Sequence, residues 1–94
     1  MKLSTKGRYG LRALIDLAQN STEEPVSITS IAERQEISER SLEQLMSKLK
    51  KSGFVQSIRG AAGGYSLARP MEQISVGDIL RAVEGSLAPV AGPG

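Results

Sequence analysis

The sequence contains no cysteine, no histidine and no tryptophan, and its aromatic rings are confined to Tyr9, Phe54 and Tyr65. Without cysteine these residues can form no disulfide, no thiolate nucleophile and no cysteine-held cluster. Without histidine the commonest general base and zinc ligand is missing. Ser, Thr, Tyr, Lys and carboxylates remain, yet no phosphate-cradling glycine loop, paired-acid pattern or nucleophile elbow surrounds them, so the chain is not expected to be an enzyme. No apolar run approaches the roughly 20 residues that cross a bilayer. Met1-Lys2-Leu3-Ser4 leads into basic sequence rather than a signal-peptide core, and a cytoplasmic location is expected.

What is present fits one small domain: 94 residues leave room for a single core. The formal net charge of +2 conceals an uneven distribution. Residues 1 to 12 carry Lys2, Lys6, Arg8 and Arg12 with no acid, and residues 47 to 60 carry Lys48, Lys50, Lys51 and Arg59 with no acid, +4 in each case. The remaining residues sum to −6. Such clusters either face solvent or meet an anionic partner, and only their placement on the fold decides between the two.

Apolar periodicity supplies the elements. Leu11, Leu14, Ile15 and Ala18 follow helical spacing and predict a first helix from about Thr5 to Gln19. A polar stretch ending in Pro25 breaks it, and Val26 is expected to form a very short strand before Ser27 caps a second helix, about Ile28 to Gln35. Ile28, Ile31 and Ala32 form its apolar side. After Glu36-Ile37, Ser38 caps a third helix that runs to about Ser52, with Leu42, Leu45, Met46 and Leu49 as its stripe and Gly53 at its end. Phe54 and Ile58 share one face of a strand, Arg59 to Gly64 form a glycine-rich loop, and Tyr65-Ser66-Leu67 return, with the Tyr65 ring expected to pack against the hairpin. Ser75 and Asp78 make a capping-box pattern, with Ile74 stapled to Ile79. They open a fourth helix, about Val76 to Glu84, whose stripe is Val76, Ile79, Leu80 and Val83, and Gly85 ends it.

The predicted class is mainly α with a small β-hairpin, in the order of a winged helix-turn-helix. Residues 1–86 form the domain, about 28–51 the helix-turn-helix, about 54–68 the wing, and 87–94 a flexible tail. With its stripe turned inward, the third helix presents Arg40, Glu43, Gln44, Ser47, Lys48 and Lys51 outward. Arg40 and Gln44 suit paired hydrogen bonds to purine edges, Glu43 can accept from cytosine, and the lysines suit phosphates. The same residue types also make an ordinary solvated surface. Arg59 begins a loop rich in glycine, where the backbone can approach a phosphate while the guanidinium enters a narrow minor groove; the same glycines could serve only to permit a turn. Lys6 and Arg8, near the start of the first helix, are candidates for further phosphate contacts. The rival reading is a winged-helix module that docks on protein and leaves DNA alone, for which affinity depends little on salt.

Three motifs in order, Lys2-Leu3-Ser4-Thr5-Lys6-Gly7-Arg8-Tyr9-Gly10, Ser38 to Leu45 with Leu42-Glu43-Gln44-Leu45, and Ser57-Ile58-Arg59-Gly60-Ala61-Ala62-Gly63-Gly64-Tyr65, resemble the Rrf2 family of bacterial regulators from Met1 to about Pro89. The resemblance implies a repressor that binds palindromic promoter DNA, a double-stranded partner, as a homodimer. It makes Ile28 to Lys51 the helix-turn-helix, carries Glu43 and Gln44 into the base-reading segment and makes Arg59 the wing arginine; Ser38, Arg40, Ser41 and Gly60 complete the candidate DNA-contacting residues. Ser41 departs from the pattern, because relatives often have an aromatic residue there. The family's sensor loop, which holds three cysteines in cluster-binding members, and its long pairing helix are absent from this sequence, whose last residues, Ala91-Gly92-Pro93-Gly94, resemble a cut end. No cofactor is therefore expected on these residues, an iron-sulfur cluster being implied only if cysteines follow residue 94 in a longer parent. On its own the 94-residue chain is expected to associate weakly.

Overall fold

A computed structural model of the chain describes residues 4–21, 23–61 and 63–84. Lys2, the end of the fourth helix at Gly85 and the expected tail 87–94 lie outside the described residues. The element order is α1 (Thr5–Asn20), α2 (Ile28–Gln35), α3 (Glu39–Lys51), β1 (Val55–Ile58), β2 (Gly64–Leu67), a single 3-10 turn (Met71–Gln73) and α4 (Val76–Glu84).

Each of the four helices starts at a serine whose hydroxyl oxygen accepts from a backbone N–H three residues on, satisfying a donor that the first turn leaves orphaned. Ser4 accepts from Gly7, Ser27 from Ser30, and Ser38 from Ser41, at 3.0–3.1 Å. At α4 the bond is reciprocal, with Asp78 N–H donating to Ser75 Oγ at 3.0 Å and Ser75 N–H to Asp78 Oδ2 at 3.1 Å. Between α2 and α3 the chain turns at Glu36, whose left-handed backbone (φ 57°, ψ 46°) lets its N–H close the helix on Ala32. A non-glycine residue holds this conformation only at some cost.

The core gathers one face of every helix. Leu14, Leu17, Ile31, Leu42, Met46, Leu49, Ile79 and Val83 are fully buried, and Ile74 joins Ile79 in the same cluster. The stripe of α3 is the one expected: Leu42, Leu45, Met46 and Leu49 all face inward. In α1 the expected stripe is rotated. Its buried residues are Gly7, Gly10, Ala13, Leu14, Asp16 and Leu17, while Ile15 is 40% exposed and Leu11 and Ala18 are only partly covered. The reason is that α4 lies against the glycines. A Cβ at Gly10 would stand 3.0 Å from Val83 Cγ1, and one at Gly7 would stand 2.5 Å from Leu80 Cδ2. A buried face made of glycine and alanine carries little hydrophobic signal. Val76, expected on the inner face of α4, is 41% exposed, and the buried residues of that helix are Ile79 and Val83.

β1 and β2 pair antiparallel, Val55 opposite Leu67 and Ile58 opposite Gly64. Val26 bridges Tyr65 through two 2.8 Å bonds, so the expected short strand exists as one residue on the far side of β2. Tyr65 is partly buried and packs against the core cluster. The expected inner pair Phe54 and Ile58 is corrected: Phe54 and Val55 are both buried, Phe54 precedes the strand, and Ile58 is 39% exposed. Beyond Val55 β1 leaves the core and is exposed, while β2 stays partly buried along its length. At its tip Gly60 has φ 117°, and a Cβ at Gly63 would lie 2.2 Å from the Ile58 carbonyl oxygen, which reserves both positions for glycine.

Candidate nucleic-acid interface

Burial of the α3 stripe forces its other face outward. Ser38, Arg40, Ser41, Glu43, Gln44, Ser47 and Lys51 are all exposed. Glu43, Gln44, Ser47, Lys48 and Lys51 surround one shallow open cleft of about 380 Å³. Gln44 and Lys48 also border a second, more enclosed cleft of about 260 Å³, whose other wall is the start of α1 with Lys6 and Tyr9 and whose α3 side includes Ser41. Lys6 is thereby placed beside α3, which connects the amino-terminal positive segment to this face. The Tyr9 ring has the Arg12 guanidinium 5.6 Å from its centroid, within cation–π range.

The positive residues divide into those that are exposed and those tied into the fold. Arg12 donates to the side-chain oxygen of Gln35 at 3.3 Å and also to the Gln35 backbone carbonyl, which joins α1 to the end of α2. Lys50 donates to Ser57 Oγ at 2.9 Å and fastens the last turn of α3 to the wing strand. Lys48, expected to meet a phosphate, lines the open cleft and its ammonium also donates to the Val83 carbonyl in α4 at 3.0 Å. Arg8 has an interaction within the chain. Arg59 and Gly60 are exposed at the start of the wing loop, where the Gly63 N–H closes on the Gly60 carbonyl at 2.9 Å.

Residue patterns alone did not single out the buried carboxylate. Asp16 is 1% exposed on α1. It accepts from Arg34 Nε at 2.9 Å and Nη2 at 2.8 Å, from Gln35 at 2.9 Å, and at longer range from Asn20. Burial pushes its carboxyl pKa up, but the Arg34 and Gln35 hydrogen bonds and the Arg34 charge outweigh this and hold it below the ordinary value. This cluster fixes α2 against α1 and therefore sets where α3 emerges. The available signal was a lone acid between Ala13 and Leu17 on an otherwise apolar face.

The family model described as an iron-dependent transcriptional regulator, Rrf2, matches residues 3–93. The chain belongs to the Rrf2 family. It is 52% identical over 90 residues to the HTH-type transcriptional regulator CymR of Bacillus subtilis (strain 168), an alignment that covers 96% of this chain and 65% of that protein. It is 55% identical over 86 residues to the regulator IscR of Cereibacter sphaeroides, covering 89% of this chain and 56% of the relative. Among solved Rrf2 structures, T. potens IscR superposes with a TM-score of 0.82 at 59% identity, covering 90% of this chain and 62% of that one. B. subtilis CymR, described as the global cysteine regulator, gives 0.83 at 51%, covering 96% and 70%. The chain thus spans little more than half to two thirds of the curated relatives' length. The winged-helix class follows from these neighbours, and the named relatives are regulators rather than enzymes.

The family description mentions iron, but the residues here do not fit it. The sequence has no Cys or His, and among the described residues no group of three or more acids is placed to hold a metal ion. Among those residues no helix is long and apolar enough to cross a membrane.

Proposed function

We propose that this domain reads double-stranded DNA in a sequence-specific manner, with α3 in the major groove and the wing in the adjacent minor groove. In a longer parent it acts as a homodimer on a palindromic promoter site and represses transcription. The observation that carries the reading is the outer face of α3: five polar or charged residues ring one open cleft while the apolar stripe is buried. Gln44 and Arg40 supply the forks that match purine edges, Glu43 an acceptor for cytosine, Ser38, Ser41 and Ser47 short hydroxyls, and Arg59 the minor-groove guanidinium. Lys6 and Lys51 meet phosphates, with Arg8 and the Gly60 backbone as further contacts.

The test is a titration of duplex DNA with the 94-residue chain over a range of salt. Affinity falls by about 0.9 log unit per log unit of salt for each neutralised phosphate. Binding that ignores salt would favour a protein-docking module instead. Gln44→Ala relaxes preference at one base pair by about 1–3 kcal/mol, whereas Lys51→Ala weakens all duplexes alike. Equal effects from the two variants would remove the direct-readout claim. Alone, the chain binds as a monomer, and more weakly than a linked pair of half-sites would allow.

A further inference from the structure

α4 is fastened to the rest of the domain at its carboxyl end, beside the reading helix. Lys48, one turn after Gln44 on α3, donates to the Val83 carbonyl at 3.0 Å. That carbonyl lies in the last described turn of α4. Glu84, the next residue, accepts from the hydroxyl of Ser4, which also caps α1. Between these two ties Gly7 and Gly10 bring α1 into contact with Leu80, Ile79 and Val83, leaving no room for a Cβ without displacement. The end of α4 is thus seated against the start of α1 on one side and the middle of α3 on the other.

We infer that Lys48 is a positioning residue: acting through the Val83 carbonyl, it sets the pose of α3, and with it the direction of Gln44, rather than contacting DNA itself. The inference rests on the DNA-reading function proposed above and deepens it by naming the place where that reading is adjustable. Lys48 is only partly exposed, and one of its three N–H donors is held by the Val83 carbonyl. A shift of the α4 end is transmitted to α3 because the contacts between them are a hydrogen bond and fully buried side chains, which do not deform continuously. Any segment that pulls on the residue after Glu84 therefore acts on base selection before it acts on phosphate contacts.

The experiment uses the 94-residue chain, a duplex selected by it from a randomised pool, and a scrambled duplex of the same composition. Lys48→Met is expected to weaken the selected duplex about tenfold, leave the scrambled one within about twofold, and keep the salt slope unchanged; Lys48→Arg, which retains an N–H donor, restores selectivity. Equal loss on both duplexes with a slope shallower by about 0.9 would make Lys48 a phosphate contact and overturn the inference, as would no change at all. Should Lys48→Met fail to fold, Glu84→Ala releases the end of α4 from Ser4 while leaving the α1 cap in place and is expected to show the same selective loss; an unchanged selectivity ratio there overturns the inference equally. Failure of the unsubstituted chain to bind any duplex would instead refute the DNA-reading function.

Discussion

Asp16 should be the most sensitive polar position in the fold, and the two sides of its ion pair should respond differently. The carboxylate is buried, whereas the Arg34 side chain is 43% exposed. Removing Arg34 leaves a charge with only Gln35 and Asn20 as side-chain partners in a place water does not reach. Removing Asp16 leaves a guanidinium that can turn to solvent. Breaking a fully buried pair costs about 3–5 kcal/mol. Partial exposure of Arg34 discounts that figure, to about 1–2 kcal/mol for Asp16→Asn, while Arg34→Met stays near the lower end of the full range at about 3 kcal/mol. In a domain of this size each kcal/mol moves Tm by about 4–8 °C, which thermal melts followed by circular dichroism resolve easily. Equal losses for the two variants, or a loss below about 0.5 kcal/mol for Arg34→Met, would refute the reasoning.

The same carboxylate gives a pH signature with a fixed sign. Its folded pKa is depressed, so between the folded value and the unfolded value of about 3.9 the unfolded chain binds more protons. The stabilisation is complete above the unfolded value and is lost as pH falls through the folded one. Asp78, lowered by the Ser75 backbone and hydroxyl hydrogen bonds and by Arg81, adds acid sensitivity of the same sign but is shared by both proteins being compared. Below about pH 4 the unsubstituted chain should therefore lose stability more steeply than Asp16→Asn.

Gly10→Ala should destabilise despite a helix-propensity gain of about 1 kcal/mol, because the new methyl meets buried Val83 and Ile79, and overpacking costs about 1–3 kcal/mol; a raised Tm would refute this. Gly7→Ala should be milder, since the Leu80 methyl it meets ends a flexible, half-buried side chain. Gly63→Ala faces backbone oxygens of Ile58 and Gly60 at 2.2 and 2.9 Å, so the wing must open; both Tm and duplex affinity should fall, and retention of both would contradict the geometry. Glu36→Gly should raise Tm, by up to about 8 °C, because the relief of the left-handed strain exceeds glycine's entropy cost by up to about 1 kcal/mol; a fall would count against strain at that turn.

Much of this was legible because the signals were local. Serine caps at 27, 38 and 75 and the capping box at Asp78 depend on a few consecutive residues, and the α3 stripe is apolar at every inward position, whereas the Ser4 cap of α1 came only from the structure. What was not legible depends on partners distant in sequence. The buried face of α1 is made by Gly7 and Gly10, which become inward positions only because α4 arrives more than 60 residues later. Ile58 and Val76 read as core because periodicity counts residue type, yet one lies on the exposed end of β1 and the other is the exposed first residue of α4. Asp16 was hidden because its value as a buried charge depends on Arg34, 18 residues away.

The distribution of positive charge shows why sequence clusters overstate a binding surface. Residues 47 to 60 carry four cations and no acid, which suggests a single anion-facing patch. In the fold Lys48 is tied to the end of α4 and Lys50 to the wing strand, so half of that cluster braces α3 between its two neighbours. Arg12 in the first cluster does the same between α1 and α2. An ammonium keeps its charge when one of its three donors is taken, so these residues still raise the local potential, but the bond each holds within the fold restricts where its remaining donors reach. The cations therefore divide their labour. Bracing residues hold α3 in one orientation, and Arg40, Lys51 and Arg59 are left exposed on the reading helix and the wing. A helix whose direction is fixed by its flanks can discriminate bases with few side chains, because less ordering entropy is lost when it meets its partner.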